Sequence, residues 1–189
     1  MSDGIALTYG AVERTLMILH GVKTDTRRVT LRSRLQHLQR AHFPPGVRVG
    51  RGPKVVYGTD QFFQLVFALE LAVARLAPNH AVRIVLANWP ALRRFVDDGM
   101  ARDAAGAMIG QRTSDRWCLL EMHGLDTLRP DVVDDVVETA EEVAADVVAG
   151  WMLGATPPPE RPWLLLDLTT LVMRAMVASK SVTTRIGKD

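Results

Sequence analysis

A narrow apolar stripe between residues 30 and 42 restricts the possible folds of this chain more than any other feature. Leu31, Leu35, Leu38 and His42 recur at i, i+4, i+7 and i+11, so they fall on one side of an α-helix. The spacing predicts an amphipathic helix over residues 30–42 that packs against the rest of the protein on that side alone. His42, which ends the stripe, is expected to be a buried, hydrogen-bonded core residue.

The opposite side of this predicted helix carries hydrogen-bond donors and cations but no carboxylate. It is formed by Ser33, Gln36, His37 and Arg40, and it is flanked by Arg32 and Arg34. Exposed helices ordinarily mix their charges, because oppositely charged pairs at i,i+4 favour the helix. An acid-free outer side therefore indicates a surface that meets an anion.

A short β-hairpin is predicted directly after the helix. Pro44-Pro45-Gly46 ends the helix, and residues 47–49 and 54–57 are predicted strands on either side of a turn at residues 50–53. The cations around this turn are Arg48, Arg51 and Lys54. A nucleotide-binding loop is excluded, because it needs a helix directly after its glycines and here a strand follows.

A helix is also predicted before the basic one. It covers residues 8–20 and ends near Gly21, a residue type favoured at helix C-termini. A polar, basic connector is expected over residues 22–29. Candidates for capping the next helix are Thr24, Asp25, Thr26 and Thr30.

After the hairpin, the pattern again favours helices. One is predicted from Thr59 or Asp60 to about Leu76, and another begins at Pro78 and is interrupted near Pro90. Asp97-Asp98-Gly99 is expected to mark a boundary. Further along, the sequence predicts a buried strand at 117–122, a long helix at 130–152, a stiff linker at 156–159 and an apolar helix at 163–180.

These elements predict a mainly α protein. Residues 1–98 are expected to form a winged helix-turn-helix domain with a two-stranded wing. Residues 99–180 are expected to form a mostly helical domain with one or two strands, and residues 181–189 a flexible tail.

The charges are distributed unevenly along the chain. Between Lys23 and Lys54 there are nine cations and one acid, nine minus one giving +8, although the whole chain has a net charge of +2. Residues 131–146 instead carry seven acids and no cation. Such asymmetry points to an anionic partner for the basic segment, commonly nucleic acid.

The first half of the chain resembles the DNA-binding domain of MerR-type transcriptional regulators. Residues 7–21 correspond to their first helix, and Thr30-Leu31-Arg32 matches the Thr-Leu-Arg that opens their recognition helix. Gly50-Arg51 and Tyr57 correspond to the glycine, arginine and closing tyrosine of their wing. The resemblance covers about residues 7–96 and implies a DNA-binding fold with a related docking mode.

The chain also departs from that family. Ser33-Arg34-Leu35 stands where the family has aromatic residues and a glutamate. The long coiled-coil helix and the effector-binding cysteines of its metal sensors are absent from the sequence. The resemblance therefore implies neither metal sensing nor the family's untwisting of promoters.

Side-chain chemistry suggests two groups of DNA contacts. Arginine, glutamine and small hydroxyls suit base edges, which favours Ser33, Gln36, His37 and Arg40 as base-reading residues. Phosphate contacts are expected from Arg27, Arg28, Thr30, Arg32 and Arg34. The wing residues Arg48, Arg51 and Lys54 are expected on the DNA backbone or in the minor groove.

The predicted function is a sequence-specific regulator of transcription, located in the cytoplasm with the nucleoid. A repressor is favoured, because occlusion of a promoter needs only tight binding. The helix at 163–180 is expected to be either core or a dimer seam, and a share in forming a homodimer that binds a palindromic operator is favoured. The acidic segment is expected to be a solvated face, with a contact to the transcription machinery as the alternative.

Other classes of function were weighed against this one. A DNA-binding accessory protein of recombination or packaging, of the excisionase or small-terminase type, uses similar helices. A protein-interaction or small-ligand-binding module is a further alternative. The sequence indicates no membrane segment, cofactor, metal or enzyme activity: the histidines lack metal-ligand spacing, and Cys118 lies among apolar residues and is expected to be a buried, inert thiol.

Overall fold

A computed structural model describes residues 4–47, 55–109, 116–121, 139–159 and 163–186. The protein is mainly helical, with a few antiparallel strands in two small sheets, as predicted at that level. Its contacts divide it into two compact units. Unit 1 consists of residues 1–82 and 174–189, and unit 2 of residues 83–173.

Unit 1 contains the basic helix and the elements around it. In chain order these are β1 (Ala6–Thr8), α1 (Tyr9–Leu19), α2 (Asp25–Arg40), β2 (Val56–Gly58), α3 (Thr59–Val73), the start of α4 (Pro78–Ala87) and the later part of α7 (Leu168–Ile186). The predicted helix over 8–20 is confirmed as α1. Gly21 follows it with a φ of 59°, the left-handed conformation that glycine adopts readily at a helix end.

The strand that contains Tyr57 has an unexpected partner. β2 pairs antiparallel with β1, with Leu7 opposite Tyr57. Both side chains are buried, at 3% and 1% exposure, so this pair anchors the small sheet in the core. The predicted pairing with residues 47–49 stays a prediction, because residues 48 and 49 lie outside the described residues. Residues 48–54, with the predicted wing turn and its cations Arg48, Arg51 and Lys54, lie outside the described residues.

Helix α2 begins earlier than the sequence suggested. The predicted connector over 22–29 is wrong, because the helix starts at Asp25. The Thr24 side chain accepts a hydrogen bond from the Arg27 amide at 3.4 Å, and Asp25 places a carboxylate at the positive end of the helix dipole. Thr30 does not cap: it lies inside the helix, where its hydroxyl donates to the Thr26 carbonyl.

The C-terminal end of α2 corrects the prediction for His42. This residue is exposed and has a φ of 56°, so it stands outside the helix in the left-handed position. Its amide donates to the Gln39 carbonyl and the Phe43 amide donates to the Leu38 carbonyl, which is the Schellman arrangement. Phe43, with 2% exposure, continues the buried stripe in place of His42.

The remaining stripe residues are buried as predicted. Leu31, Leu35 and Leu38 are at most 7% exposed. Helix α3 supplies the densest part of this core, with Phe62, Phe63, Leu65, Val66, Phe67 and Leu69 buried. Its N-cap is Gly58, so the predicted caps Thr59 and Asp60 fall inside its first turn. The Thr59 hydroxyl instead accepts a hydrogen bond from the Ile5 amide at 2.9 Å.

Unit 2 is built around a three-stranded antiparallel sheet. Besides the end of α4 and the start of α7, it contains α5 (Trp89–Ala104), β3 (Arg116–Glu121), β4 (Ala140–Ala144), α6 (Ala145–Met152) and β5 (Trp163–Leu166). The strand order is β4-β3-β5. The predicted strand at 117–122 is therefore found as the central strand, and its Cys118, Leu119 and Leu120 are buried.

Two predicted helices of this region are partly strands. Residues 140–144 were predicted within a long helix at 130–152, but they form β4 and pair with β3. The end of that prediction is found as α6, and residues 130–138 lie outside the described residues. Residues 163–166 were predicted as helix and form β5 on the other edge of β3. Alternative backbone pairing on both sides of one apolar strand explains both differences. Helix α7 then starts at Leu168, where the Asp167 carboxylate accepts from the Thr170 amide.

The expected boundary at residues 97–99 lies inside α5. Gly99 serves close packing there, because a Cβ at this position would lie 2.5 Å from a methyl carbon of Val172. The predicted division at residue 98 thus differs from the compact units. The predicted tail from residue 181 begins inside α7, which runs to Ile186.

Candidate nucleic-acid interface

Helix α2 carries five arginines, more than any other described element of unit 1. Helical spacing places Val29, Ser33, Gln36 and Arg40 opposite the buried leucines, and all four are exposed. Asp25, in the first turn, is the helix's only acid. The predicted outer residues Ser33, Gln36, His37 and Arg40 are all exposed.

Val29 was missed as a surface residue of the helix. The sequence placed it in a connector, but the earlier start of α2 puts it on the outward line. It is 66% exposed, so its apolar side chain stands open among polar neighbours. A methyl-bearing side chain in this position suits the methyl group of thymine. The Thr24 cap was the signal that would have brought Val29 into the helix.

One flank of α2 is fixed to α1 through an ion pair. The Arg32 guanidinium donates to the Glu13 carboxylate through Nη2 at 2.7 Å and Nε at 3.1 Å. The Glu13 side chain is only 10% exposed, whereas that of Arg32 is 53% exposed. The hydrogen bond with Glu13 and its charge raise the pKa of Arg32. Arg32 is therefore a neutralised cation, and it orients α2 against α1.

The same flank is tied to β2 by a neutral contact. Gln39 donates its side-chain N–H to the Tyr57 hydroxyl at 2.8 Å. Burial raises the pKa of Tyr57, and burial beside Glu13 raises that of the neighbouring Tyr9. Both phenols thus stay protonated well above neutral pH. The two ties set the rotation of α2 about its axis and hence which side chains point outward.

In the described part of the chain, no carboxylate neutralises the cations of the other flank and of the outward line. Among the described residues, Arg27, Arg34 and Arg40 have no carboxylate oxygen within 4.0 Å. Arg28 contacts Asp25 at 3.6 Å, but both side chains are exposed, and such pairs contribute little. Three or four cations of α2 are therefore available to an outside anion.

Two shallow grooves border this free flank, where α2 faces α3. The first, which we call the alanine groove, has a volume of about 260 Å³. Helix α2 contributes Ser33, Arg34, His37 and Leu38 to it; α3 contributes Ala68, Leu69 and Ala72, and Pro78 closes the end. The second, the His20 groove, measures about 250 Å³ and shares Arg34 and Leu69 with the first.

His20 lies in the turn between α1 and α2. Its Nε2 atom is buried and has no hydrogen-bond partner in the described part of the chain. Burial lowers the pKa of this histidine, and the nearby Arg174 and Arg34 lower it further. The neutral ring is therefore favoured in the folded protein, close to Arg34, which pairs with no carboxylate among the described residues.

The remaining candidates belong to unit 2 or fall outside the described residues. In unit 2, Glu142 is paired with Arg116 at 2.8 Å, while the acids at 131–138 are not described. Cys118 is buried, and burial raises the pKa of its thiol to about 12, as expected for an inert cysteine. The described residues contain no group of three metal-ligating side chains and no helix long and apolar enough to cross a membrane.

A scan against protein-family models found no match for this chain, and a search of curated proteins found no relative. The site must therefore be interpreted from its own geometry.

Proposed function

We propose that this protein is a sequence-specific double-stranded DNA-binding regulator of transcription. The observation that carries the proposal is the exposed surface of α2, which is acid-free beyond its first turn and carries three arginines, Arg27, Arg34 and Arg40, that pair with no carboxylate among the described residues. An α-helix fits the major groove of B-DNA, and unpaired arginines along it supply phosphate and base contacts.

The arrangement around α2 supports a winged helix-turn-helix interpretation. Helix α1 and the turn over residues 20–24 precede α2, as the first helix of such a motif precedes the recognition helix. β2 comes directly after residues 48–54, which we assign to the wing. Arg48, Arg51 and Lys54 would then contact the backbone or minor groove beside the helix.

Side chains of α2 divide into two roles under this proposal. Ser33, Gln36 and Arg40, with Val29 beside them, lie on the outward line and read base edges. Arg27, Arg28, Thr30 and Arg34 hold phosphates from the flank, with His37 between the two groups. Arg32 contributes mainly by fixing the helix to Glu13.

One recognition helix and one wing contact few base pairs. We therefore propose that the protein acts as a homodimer on a palindromic operator, because paired half-sites give useful specificity. A regulator of this kind needs no catalytic group, and it acts at the nucleoid in the cytoplasm. Repression by occlusion is the simplest mode of action.

The test of DNA binding uses genomic fragments and a range of salt concentrations. In a gel-shift assay at moderate salt, we expect the protein to bind a subset of the fragments. Log Kd should increase linearly with log[salt]. Binding no better than that of an average basic protein of the same net charge would falsify the proposal. Selection of attachment or packaging sites instead of promoters would assign the protein to recombination or packaging.

Two groups of variants separate the proposed roles. Gln36→Ala and Arg40→Ala should change which sequences are preferred, at about 1–3 kcal/mol per lost base contact. Arg27→Ala should weaken binding to all sequences and reduce the salt slope by about one unit. Equal weakening on every operator for Gln36→Ala would make that residue a backbone contact.

A further inference from the structure

We infer that the alanine groove is a binding site for a small organic anion with an apolar body, such as an aromatic carboxylate. The groove is built from unit 1 alone and lies on the flank of α2 where the cations pair with no carboxylate of the described residues. The inference rests on the proposed function only for its regulatory consequence, which is competition with DNA.

The hollow has a clear origin in the sequence of α3. Ala68 and Ala72 are spaced i, i+4, so they lie on the same side of that helix, and both line the groove. Two methyl groups leave space where two larger side chains would fill the gap between α2 and α3. With Leu38, Leu69 and Pro78, they make the floor of the groove apolar.

The rim of the groove determines which head group fits. Its α2 side carries a guanidinium at Arg34, an imidazole at His37 and a hydroxyl at Ser33, all three on exposed residues. No acid is among the residues that line it. Arg34 has no carboxylate partner in the described structure, so a ligand carboxylate meets an unneutralised cation.

The size of the groove limits the body of the ligand. At about 260 Å³ it is smaller than the roughly 300–1,000 Å³ of typical drug-sized sites. A single ring or a short aliphatic chain therefore suits it. Because the apolar floor and the cationic rim lie side by side, the ligand must carry its charge at one end.

Occupation of this groove affects the proposed DNA surface directly. Arg34, Ser33 and His37 are the groups that would hold a ligand carboxylate, and the same side chains are assigned to DNA. A bound anion would neutralise Arg34 and place negative charge near the phosphates. The ligand is therefore expected to act as an inducer that releases DNA.

Benzoate and its neutral isostere benzamide test the site on the full chain without DNA. In a titration followed by amide NMR, benzoate should shift signals of residues around the groove, and benzamide should bind about fivefold more weakly, because it lacks the charge that pairs with Arg34. Arg34→Gln should remove this difference. Equal affinity of the two compounds for the wild-type protein would overturn the assignment of the head group.

A space-filling variant tests the floor. Ala72→Leu should abolish the benzoate shifts, and Ala101→Leu on the exposed surface of α5 is the matched control that should leave them intact. Thermal unfolding of both variants shows whether they are folded, and Arg34→Gln provides an independent test if Ala72→Leu is not. Persistent benzoate shifts in folded Ala72→Leu would contradict the site. A concentration-dependent dimer that Ala72→Leu dissociates would show that a second copy occupies the groove instead.

Competition with DNA is measured separately at constant ionic strength. At ten times its own Kd, benzoate should lower the apparent DNA affinity about tenfold, as for two ligands that exclude each other. If the wild-type protein binds DNA but benzoate changes neither the spectra nor the affinity, the groove inference fails and the proposed function stands. If no DNA binds, the proposed function fails, and the NMR titration still decides the groove.

Discussion

Three arginines of α2 and three arginines of unit 2 differ in their contacts with carboxylates. In unit 2, Asp98 accepts from Arg102 at 3.1 Å and lies 3.9 Å from Arg116, which also pairs with Glu142. Arg93 pairs with Asp97 one turn along the same helix. In α2, Arg27, Arg34 and Arg40 have no such partner among the described residues. The same residue type thus forms ion pairs within the fold at these positions of unit 2 and is left exposed to solvent at these three positions of α2.

Charge reversal in α2 should lower DNA affinity, whereas charge reversal in unit 2 should lower stability. The loss of DNA affinity is the largest effect we expect. Arg34→Glu combined with Arg40→Glu should lower DNA affinity by at least about 100-fold, because two cationic contacts are lost and repulsion is added. The free energy of unfolding should change little, as for most surface substitutions. Fluorescence anisotropy with an operator fragment and urea unfolding measure the two quantities.

The control for this pair is Arg93→Glu with Arg102→Glu in unit 2. Both arginines contact carboxylates, so this variant should lose stability and keep its DNA affinity. If the unit 2 variant lost as much DNA affinity as the α2 variant, net charge alone would control binding.

A smaller effect is expected at Arg32, which belongs to α2 but is paired with a carboxylate like the arginines of unit 2. Glu13→Gln removes the carboxylate that neutralises this arginine and leaves a half-buried contact without its charge. The thermal midpoint should fall by a few degrees, while DNA affinity is kept or raised, because one more cation of α2 becomes free. Asp25→Asn is the control, since its pair with Arg28 is exposed and should leave the midpoint nearly unchanged.

The smallest expected effect concerns pH and His20. Because burial beside Arg174 and Arg34 lowers the pKa of His20 in the folded protein, the unfolded chain takes up the proton first as the pH falls below about 6.5. Stability should therefore decrease from pH 7.5 to 5.5, whereas above pH 7.5 the contribution is constant. Glu70 acts in the opposite sense, because burial raises its pKa.

The comparison of wild type with His20→Gln isolates the histidine from Glu70. Urea unfolding at both pH values should show a smaller loss of stability on acidification in the variant. Identical losses in the two proteins would mean that His20 does not titrate differently in the folded and unfolded states.

Much of the architecture around α2 could be predicted, because its signals are local. The spacing of Leu31, Leu35 and Leu38 defined both the buried side and the outward side of the helix. The start at Asp25 was missed, because several adjacent residues are competent caps and only the folded chain selects Thr24. His42 was predicted to be buried, and this was wrong. The apolar spacing alone does not show that the helix ends at Arg40 and that His42 adopts a left-handed conformation.

Features that depend on distant partners could not be predicted. The pairing of β1 with β2 joins two three-residue strands from separate parts of the chain, and neither is long enough to show alternation. Arg32 was expected to hold a phosphate, because its partner Glu13 lies 19 residues earlier and only tertiary packing brings them together. β4 was predicted as helix, because its alanines and glutamates favour a helix in isolation. It forms a strand because it pairs with the backbone of β3.

The composition of unit 1 from both ends of the chain has a consequence for its synthesis. Residues 174–189 belong to this unit, and Arg174 donates to the Leu19 carbonyl at 3.2 Å, a contact across 155 positions of sequence. A chain that leaves the ribosome from its N-terminus must expose the apolar surface that Ala175, Ala178 and Val182 will cover until unit 2 has been translated. The segment that completes unit 1 thus emerges after unit 2, so translation products truncated before residue 174 would carry the basic helix on an unfinished core.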